Sequence, residues 1–381
     1  MLNKELRSAL LAIAKPLRYG MRYNRNLPAF NQVVFHNGYI GVTDGYTYCG
    51  MQFPVIGLPQ TDVYAVSYHG LLRITSCLGL KEEVAFRLEH THLSIISGGK
   101  VFNIALFGNS DLPSLTHTDG GSLIASTTFG LQRPKQVAAL TVYDDFRPVM
   151  AQVCVNALGV CATDAHVLWC DPSAALVDPI HDDLDGQVMV PAHVVKHLQP
   201  DIEYNLDIYP TVGHLNYGGM HIRFTREQGR FPKYDKIMPA ADAPYVMITV
   251  DKAVMREFFG AARGMASSAH EHKCFVAISS KRLNIRMFDD GLMAVFNAAM
   301  PIKEFSRYGL NDNVVFSVNP SFMMRVIDAL PDRLMRILFY GGNKAILLQV
   351  EDSTEKGLVM PIMIFDDRLI KVLDGLSMEK H

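Results

Sequence analysis

Gly229-Arg230-Phe231-Pro232-Lys233-Tyr234-Asp235-Lys236-Ile237-Met238-Pro239 stands about two-thirds of the way along a 381-residue chain, where a pattern already stated twice is about to be stated a third time. Each statement opens with an amphipathic helix. The spacing predicts the first from about Asn3 to Lys15, with Leu2, Leu6, Leu10, Ile13 and Leu17 on one face and Pro16 as its stop. The second begins near Pro134, suited to a first helical turn because proline needs no amide partner there, and continues through Val137 and Leu140. The third starts at Asp251, a good N-cap, and places Val254, Phe258, Ala262 and Met265 on one stripe.

A strand pair follows each helix and carries a Thr-Asp or Asp-Asp turn: Val42-Thr43-Asp44-Gly45, Ala162-Thr163-Asp164-Ala165 and Phe288-Asp289-Asp290-Gly291. From Asp44 to Asp164 is 120 positions, and from Asp164 to Asp290 is 126. A shorter helix comes next in each unit. Ser67 to Leu78 turns Leu71, Ile74 and Leu78 inward, Ala192 to Leu198 turns Val194, Val195 and Leu198, and Ser321 to Leu330 turns Phe322, Val326 and Leu330. Gly79, Pro200 and Pro331 stop them.

Alternating strands close each unit: Val84, Phe86 and Leu88; Ile202, Tyr204, Leu206 and Ile208; Met335, Ile337 and Phe339. Gly98-Gly99, Gly218-Gly219 and Gly341-Gly342 mark turns, the third one hairpin earlier than the others. A period near 120 residues exceeds any solenoid unit and suits a small domain. Three domains, 1–126, 127–243 and 244–365, are expected with an extension at 366–381, the borders falling in the polar Thr116–Ser126 and the Pro/Ala-rich Pro239–Pro244.

Half the residues are apolar, enough for a core in each domain, and no apolar run approaches a membrane span. The polar amphipathic start lacks a cleavable hydrophobic segment, so a cytoplasmic protein is expected. Cys49, Cys77, Cys154, Cys161, Cys170 and Cys274 lie singly, without Cys-x-x-Cys spacing, and read as free, mostly buried thiols.

A net charge of -2 argues against a general basic surface but not against basic residues gathered on one face. The polar helix faces offer Lys4, Arg7, Lys15, Arg18, Arg73, Lys135, Lys196, His197, Lys252, Arg256, Arg263 and Arg325, while acids cluster at Asp182, Asp183, Asp185, Asp366 and Asp367. If those helices face a common channel, the channel attracts phosphate without reading sequence.

Three motifs resemble one family. Gly229-Arg230-Phe231-Pro232-x-Tyr234 is similar to a linker, Ala162-Thr163-Asp164-x-His166-x-Leu168 to a second-domain signature, and Val350-Glu351-Asp352 with Val359-Met360-Pro361-Ile362-Met363 to the final strands of the bacterial DNA polymerase III beta subunit, the sliding clamp. The resemblance spans about residues 1–364, with the first domain matching by pattern, including Leu27-Pro28 and Asp111-Leu112-Pro113. It implies an α+β fold of three DNA-clamp domains, each two helices packed on antiparallel sheets, and a head-to-tail dimeric ring of six domains around duplex DNA. It implies no catalytic chemistry, no metal and no cofactor: processivity comes from topology and from a tethered polymerase held at high local concentration.

The resemblance also implies a groove for short linear motifs of the polymerase, the clamp loader and repair proteins. Its wall would be Met150, Thr163, His166 and Leu168, with Pro232, Lys236 and Ile237 from the linker and Phe322, Val359, Met360, Pro361, Ile362 and Met363 opposite. Methionine and aliphatic side chains around a few polar groups suit several peptides. Ala165 stands where the family commonly has glycine, Val167 and Met363 where it has arginine, and Lys233 and Asp235 exchange the usual linker charges. Altered motif preference is therefore expected, and the tail from Phe365 to His381, with Leu369, Ile370, Val372 and Leu373, is a candidate competitor for the groove. Ring closure is expected to use the 251–266 helix with Met265 and the strand around Val101 to Leu106.

Other signals are weaker. His90-Thr91-His92 and His270-Glu271-His272 lack a third ligand at familiar spacing and read as turn or surface histidines. Ser97-Gly98-Gly99-Lys100 has no following helix and reads as a hairpin turn. No strand-to-helix elbow surrounds a nucleophile. Two further readings stand beside the ring: a clamp-like phage or plasmid homologue that binds replication proteins without encircling DNA, and an enzyme built on the repeated domain.

Overall fold

A computed structural model describes residues 1–21, 28–36, 38–53, 63–107, 121–174, 186–266, 273–289, 294–310 and 314–363. Leu27, Asp111-Leu112-Pro113, Asp182, Asp183, Asp185, His270-Glu271-His272, Asp290-Gly291 and the tail from Phe365 lie outside the described residues. Among those described, the helices are α1 (Asn3–Ala14), α2 (Tyr68–Ser76), α3 (Pro134–Ala138), α4 (Ala192–Val195), α5 (Lys252–Met265) and α6 (Pro320–Ala329), and every strand pairing is antiparallel.

The chain clusters into two compact units, one of Met1–Pro134, Ile180–Asp185 and Val190–Gln228, the other of Lys135–Pro179, Gly186–Met189 and Gly229–His381. The second sequence repeat is thus shared. Its strands Tyr204–Ile208, Val212–Tyr217 and Met220–Thr225 belong to the first unit, whereas Gln152–Asn156, Gly159–Thr163 and Val167–Asp171 belong to the second. Strand pairing is the reason, because hydrogen bonds continue from one repeat into the next.

In the first unit an eight-stranded sheet runs Tyr64–Ser67, Gln32–His36, Tyr39–Thr43, Thr47–Gln52, Met220–Thr225, Val212–Tyr217, Tyr204–Ile208 and Ala125–Phe129. Thr47–Gln52 and Met220–Thr225 join the repeats, with Cys49 opposite Ile222. The α1 stripe is as expected at Leu6, Leu10, Ile13 and Leu17, all buried, each contributing about 1.5–3 kcal/mol. Leu2 departs from it: this residue is the N-cap position, more than a third exposed. Asn3 is buried instead, and its Nδ2 donates to the carbonyls of Thr75, at 2.8 Å, and Leu78, at 3.1 Å, satisfying orphan acceptors at the end of α2. Ser67 caps the start of α2 by accepting from the Gly70 amide.

A smaller sheet of Ala85–Leu88, His92–Ser97 and Lys100–Ala105 completes this unit. Its hairpin turns at Gly98-Gly99 with φ of 53° and 80°, and Gly218-Gly219 repeats this at 51° and 89°, the two left-handed steps that a two-residue hairpin needs. Gly341 differs at φ 125°.

In the second unit a nine-stranded sheet runs Gln187–Pro191, Gln152–Asn156, Gly159–Thr163, Val167–Asp171, Lys356–Val359, Ile346–Val350, Leu334–Phe339, Tyr245–Asp251 and Glu304–Tyr308. A four-stranded sheet holds Ala294–Pro301, Arg282–Asp289, Cys274–Ile278 and Val314–Val318. Asp251 caps α5 as expected, accepting from the Ala253 amide at 2.9 Å. The buried stripe is Met255, Phe259 and Ala262, so the helix is rolled by one position from the predicted Val254 and Phe258, and Lys252 faces inward. Helix α6 starts at Pro320, one residue before the expected Ser321, and Asn319 caps it by accepting from the Ser321 amide. Met335, Ile337 and Phe339 are buried as the alternation requires.

Five cysteines are buried and Cys77 is exposed; all six are free thiols. Burial pushes Cys49, Cys154 and Cys274 up to about 12, which keeps them protonated and unreactive. No helix among the described residues is long and apolar enough to cross a membrane.

Candidate functional site

The Thr-Asp turns are built alike, bond for bond. Thr43 Oγ1 donates to the Thr47 carbonyl and accepts from the Gly45 amide, while Asp44 Oδ1 accepts from the amides of Tyr46 and Thr47. Thr163 Oγ1 likewise donates to the Val167 carbonyl and accepts from the Ala165 amide, while Asp164 Oδ1 accepts from His166 and Val167. Both aspartates are buried, which spares these bonds from competition with water. Each turn then hands its strand to a strand from the next repeat: the Thr225 amide donates to the Tyr46 carbonyl and the Met360 amide to the His166 carbonyl, both at 2.9 Å.

Around the second turn several of the named residues lie near one another. Val167 lies opposite Val359 and Leu168 opposite Leu358. The imidazole of His166 stacks on Phe322 of α6, centroids 5.1 Å apart and planes 17° from parallel. The Ile362 amide donates to the Ser317 carbonyl and Ser317 Oγ returns a bond to the Ile362 carbonyl, which fixes the chain after Pro361. Phe322, predicted to point inward, is half-buried because its ring is used in that stack.

Exposure divides the set. His166, Pro232, Lys236, Ile237, Met360 and Met363 are exposed, whereas Met150, Thr163, Leu168 and Val359 are buried. Leu168 is covered by the linker, whose Phe231 and Tyr234 pack with it, Leu358, Cys154, Cys161 and Cys170 in one apolar cluster. Tyr234 also donates to Asn156 Oδ1 at 3.2 Å. A cleft of about 450 Å³ opens beside the linker, lined by Leu158, Met238, Pro239, Tyr245, Tyr340 and Lys356 among others, and none of the predicted groove residues lines it.

The cations also divide. Lys4, Lys15, Arg73, Lys135, Lys196, His197 and Arg263 are exposed, and Arg7 and Arg18 are half-buried. Lys252 corrects the expectation of a solvent-facing charge: at 6% exposure its Nζ donates to the Leu330 carbonyl at 2.5 Å and to Asp332 at 2.6 Å, so it fastens α5 to the end of α6. Arg325 is likewise engaged, with Nη1 donating to Asp164 at 2.6 Å and Nε to the Ala139 carbonyl at 2.8 Å. Arg256 pairs with Asp328 at 2.7 Å.

In the first unit, positive charge gathers where α4 meets the first turn. His193 Nε2 lies 2.9 Å from Thr47 Oγ1. Burial, with Arg18, Lys196 and His197 nearby, lowers its pKa to about 4, so it stays neutral beside Arg18 and Lys196. Sequence reading singled out Arg18, Lys196 and His197 but missed His193, Tyr19 and Tyr46. The signal for Tyr46 was its place in the repeat, one step after Gly45, as His166 follows Ala165.

The strand orders, the duplicated turn and the continuous antiparallel sheets define the three-domain α+β fold of the DNA sliding clamps. Solved structures carry that likeness over 96% of the chain. A Pseudomonas aeruginosa DNA polymerase III beta subunit sliding clamp bound to griselimycin matches with a TM-score of 0.79 at 16% identity, covering 96% of this chain and 98% of that one. A Bartonella birtlesii beta subunit sliding clamp bound to griselimycin gives 0.78 at 14% identity, covering 96% and 98%. A Caulobacter crescentus DNA polymerase sliding clamp gives 0.73 at 15% identity, covering 96% and 99%. No family model and no curated protein sequence matches the chain.

Proposed function

We propose that this protein is a DNA sliding clamp, a homodimeric ring of six domains that encircles duplex DNA and tethers a replicative polymerase and other replication and repair proteins. The observation that carries this reading is the clamp fold shared with bacterial sliding clamps over 96% of the chain. Two features of this chain support it. Exposed cations stand on the helices of both units, as at Lys15 and Arg73 in the first and Lys135 and Arg263 in the second. Each unit also presents an edge strand, Lys100–Ala105 in one and Ala294–Pro301 in the other, with Val101 and Val295 more than half exposed. Pairing of such edges between two protomers would cover them and close the ring.

The ring acts without covalent chemistry: a closed ring cannot leave the duplex sideways, and phosphate contacts that read no sequence let it move along the axis. Partner motifs would dock on His166, Phe322, Met360 and Met363 beside the linker, where a stacked ring pair and two methionines give an adaptable apolar wall. The deciding experiment is retention on nicked circular DNA. Retention that is lost on linearisation is expected; equal loss from circular and linear DNA would end the ring reading.

A further inference from the structure

One turn, used twice, carries two aromatic clusters built from different rings. In the second unit the rings are His166 and Phe322, and the nearby arginine, Arg325, is 5.9 Å from the Phe322 centroid and neutralised by Asp164 at 2.6 Å. In the first unit Tyr19 and Tyr46 meet edge to face with centroids 5.4 Å apart. The Arg18 guanidinium lies 5.3 Å and 5.1 Å from their two centroids.

A single buried carboxylate positions both tyrosines. Asp44 Oδ1 accepts from the Tyr46 amide at 3.1 Å, and Oδ2 accepts from the Tyr19 amide at 2.8 Å. The two tyrosine residues nevertheless remain 42% and 47% exposed, so Asp44 anchors the backbone of two residues that are open to solvent. The bond between Thr47 and His193 brings α4 alongside, and the exposed Lys196 and His197 follow that helix. Burial first, and then Arg18, Lys196 and His197, hold the pKa of His193 down, so all three side chains lie within electrostatic reach of that imidazole.

We infer that this cluster binds single-stranded DNA, a base stacking on the Tyr19 and Tyr46 rings while Arg18, Lys196 and His197 hold the flanking phosphates. Every base has a π-face, so such a platform is indifferent to sequence. Duplex bases are already stacked on their neighbours, which is why the rings select an unpaired strand. The inference rests on DNA being the partner proposed above. It assigns to the first unit a contact distinct from encirclement, made at the junction between single and double strand.

Fluorescence anisotropy at low salt tests it, using labelled oligo-dT of about 15 nucleotides and a blunt hairpin duplex with the same number of phosphates. Thermal unfolding of each variant verifies that it is folded. Tyr46→Ala and Tyr19→Ala should each weaken oligo-dT binding about tenfold, Tyr46→Phe should restore it, and duplex binding should change less than about twofold. Unchanged oligo-dT affinity in folded Tyr46→Ala, equal losses on both DNAs, or no oligo-dT binding by the wild-type protein would each overturn the inference. So would an acidic, phenylalanine-containing peptide that binds more tightly than oligo-dT and loses that advantage in Tyr46→Ala. Retention on nicked circles is scored separately, so a failed platform and a failed ring are distinguishable.

Discussion

Gly45 and Ala165 occupy the same step of the duplicated turn at φ of 88° and 75°, yet their surroundings differ. A Cβ on Gly45 would lie 2.8 Å from the Phe30 ring, so Gly45→Ala adds a clash to left-handed strain and should cost about 2 kcal/mol. Ala165 already bears that strain, and Ala165→Gly trades its relief against the greater chain entropy of glycine. Its effect should stay within about 0.5 kcal/mol. Urea unfolding midpoints measure both, and a wild-type midpoint for Gly45→Ala would contradict the packing argument. The turn itself was legible because Asp44 and Asp164 bond to amides two and three residues ahead. The second oxygen of each was not legible, since it reaches Tyr19 in one copy and Arg325, 161 positions away, in the other.

At the scale of helices, α4 gives a pH prediction. The folded pKa of His193 is about 4 against an ordinary 6.5, so the unfolded chain takes up the proton first as pH falls. Stability from this residue is therefore full above about pH 6.5, declines between 6.5 and about 4, and is flat below, with a total loss of up to about 3 kcal/mol. His193→Gln should remove that part of the pH dependence, read as the difference between two stability-against-pH curves; coincident curves would refute it. In α5, Lys252→Met should lower stability by about 1–3 kcal/mol through lost charged hydrogen bonds while leaving duplex affinity unchanged. Lys196→Ala should do the reverse, weakening duplex binding and reducing its salt slope by about 1. Reduced DNA affinity in Lys252→Met with native stability would show that the buried assignment is wrong. Periodicity found α5 and its Asp251 cap but missed the one-position roll, because Lys252 is drawn inward by Leu330 and Asp332, partners about 80 residues away.

For the whole molecule, ring closure predicts a solution mass twice the 42.4 kDa of one chain. Val101→Glu puts a charge on the exposed edge strand and should shift that mass toward the single chain without unfolding it. Light scattering on wild type and variant measures this, and a wild-type monomer would leave the clamp-like homologue that does not encircle DNA as the better reading. The repeat and the three motif matches made the clamp fold legible. The grouping of the second repeat's strands with two different units was not, because each strand carries the same alternation whichever neighbour it pairs with. Likewise His166, Phe322 and Met360 were named from the sequence, while the stack between two of them and the linker's cover over Leu168 were visible only in the folded chain.

By itself the sequence determined what depends on short separations: helix starts and stops, hairpin glycines, the Thr-Asp turn and its recurrence. Tertiary structure alone decided which strands join across repeats, which cations are buried by an intramolecular partner, and where two tyrosines meet an arginine. Those outcomes depend on hydrogen bonds and charges between residues tens to hundreds of positions apart, and periodicity carries no information about such partners.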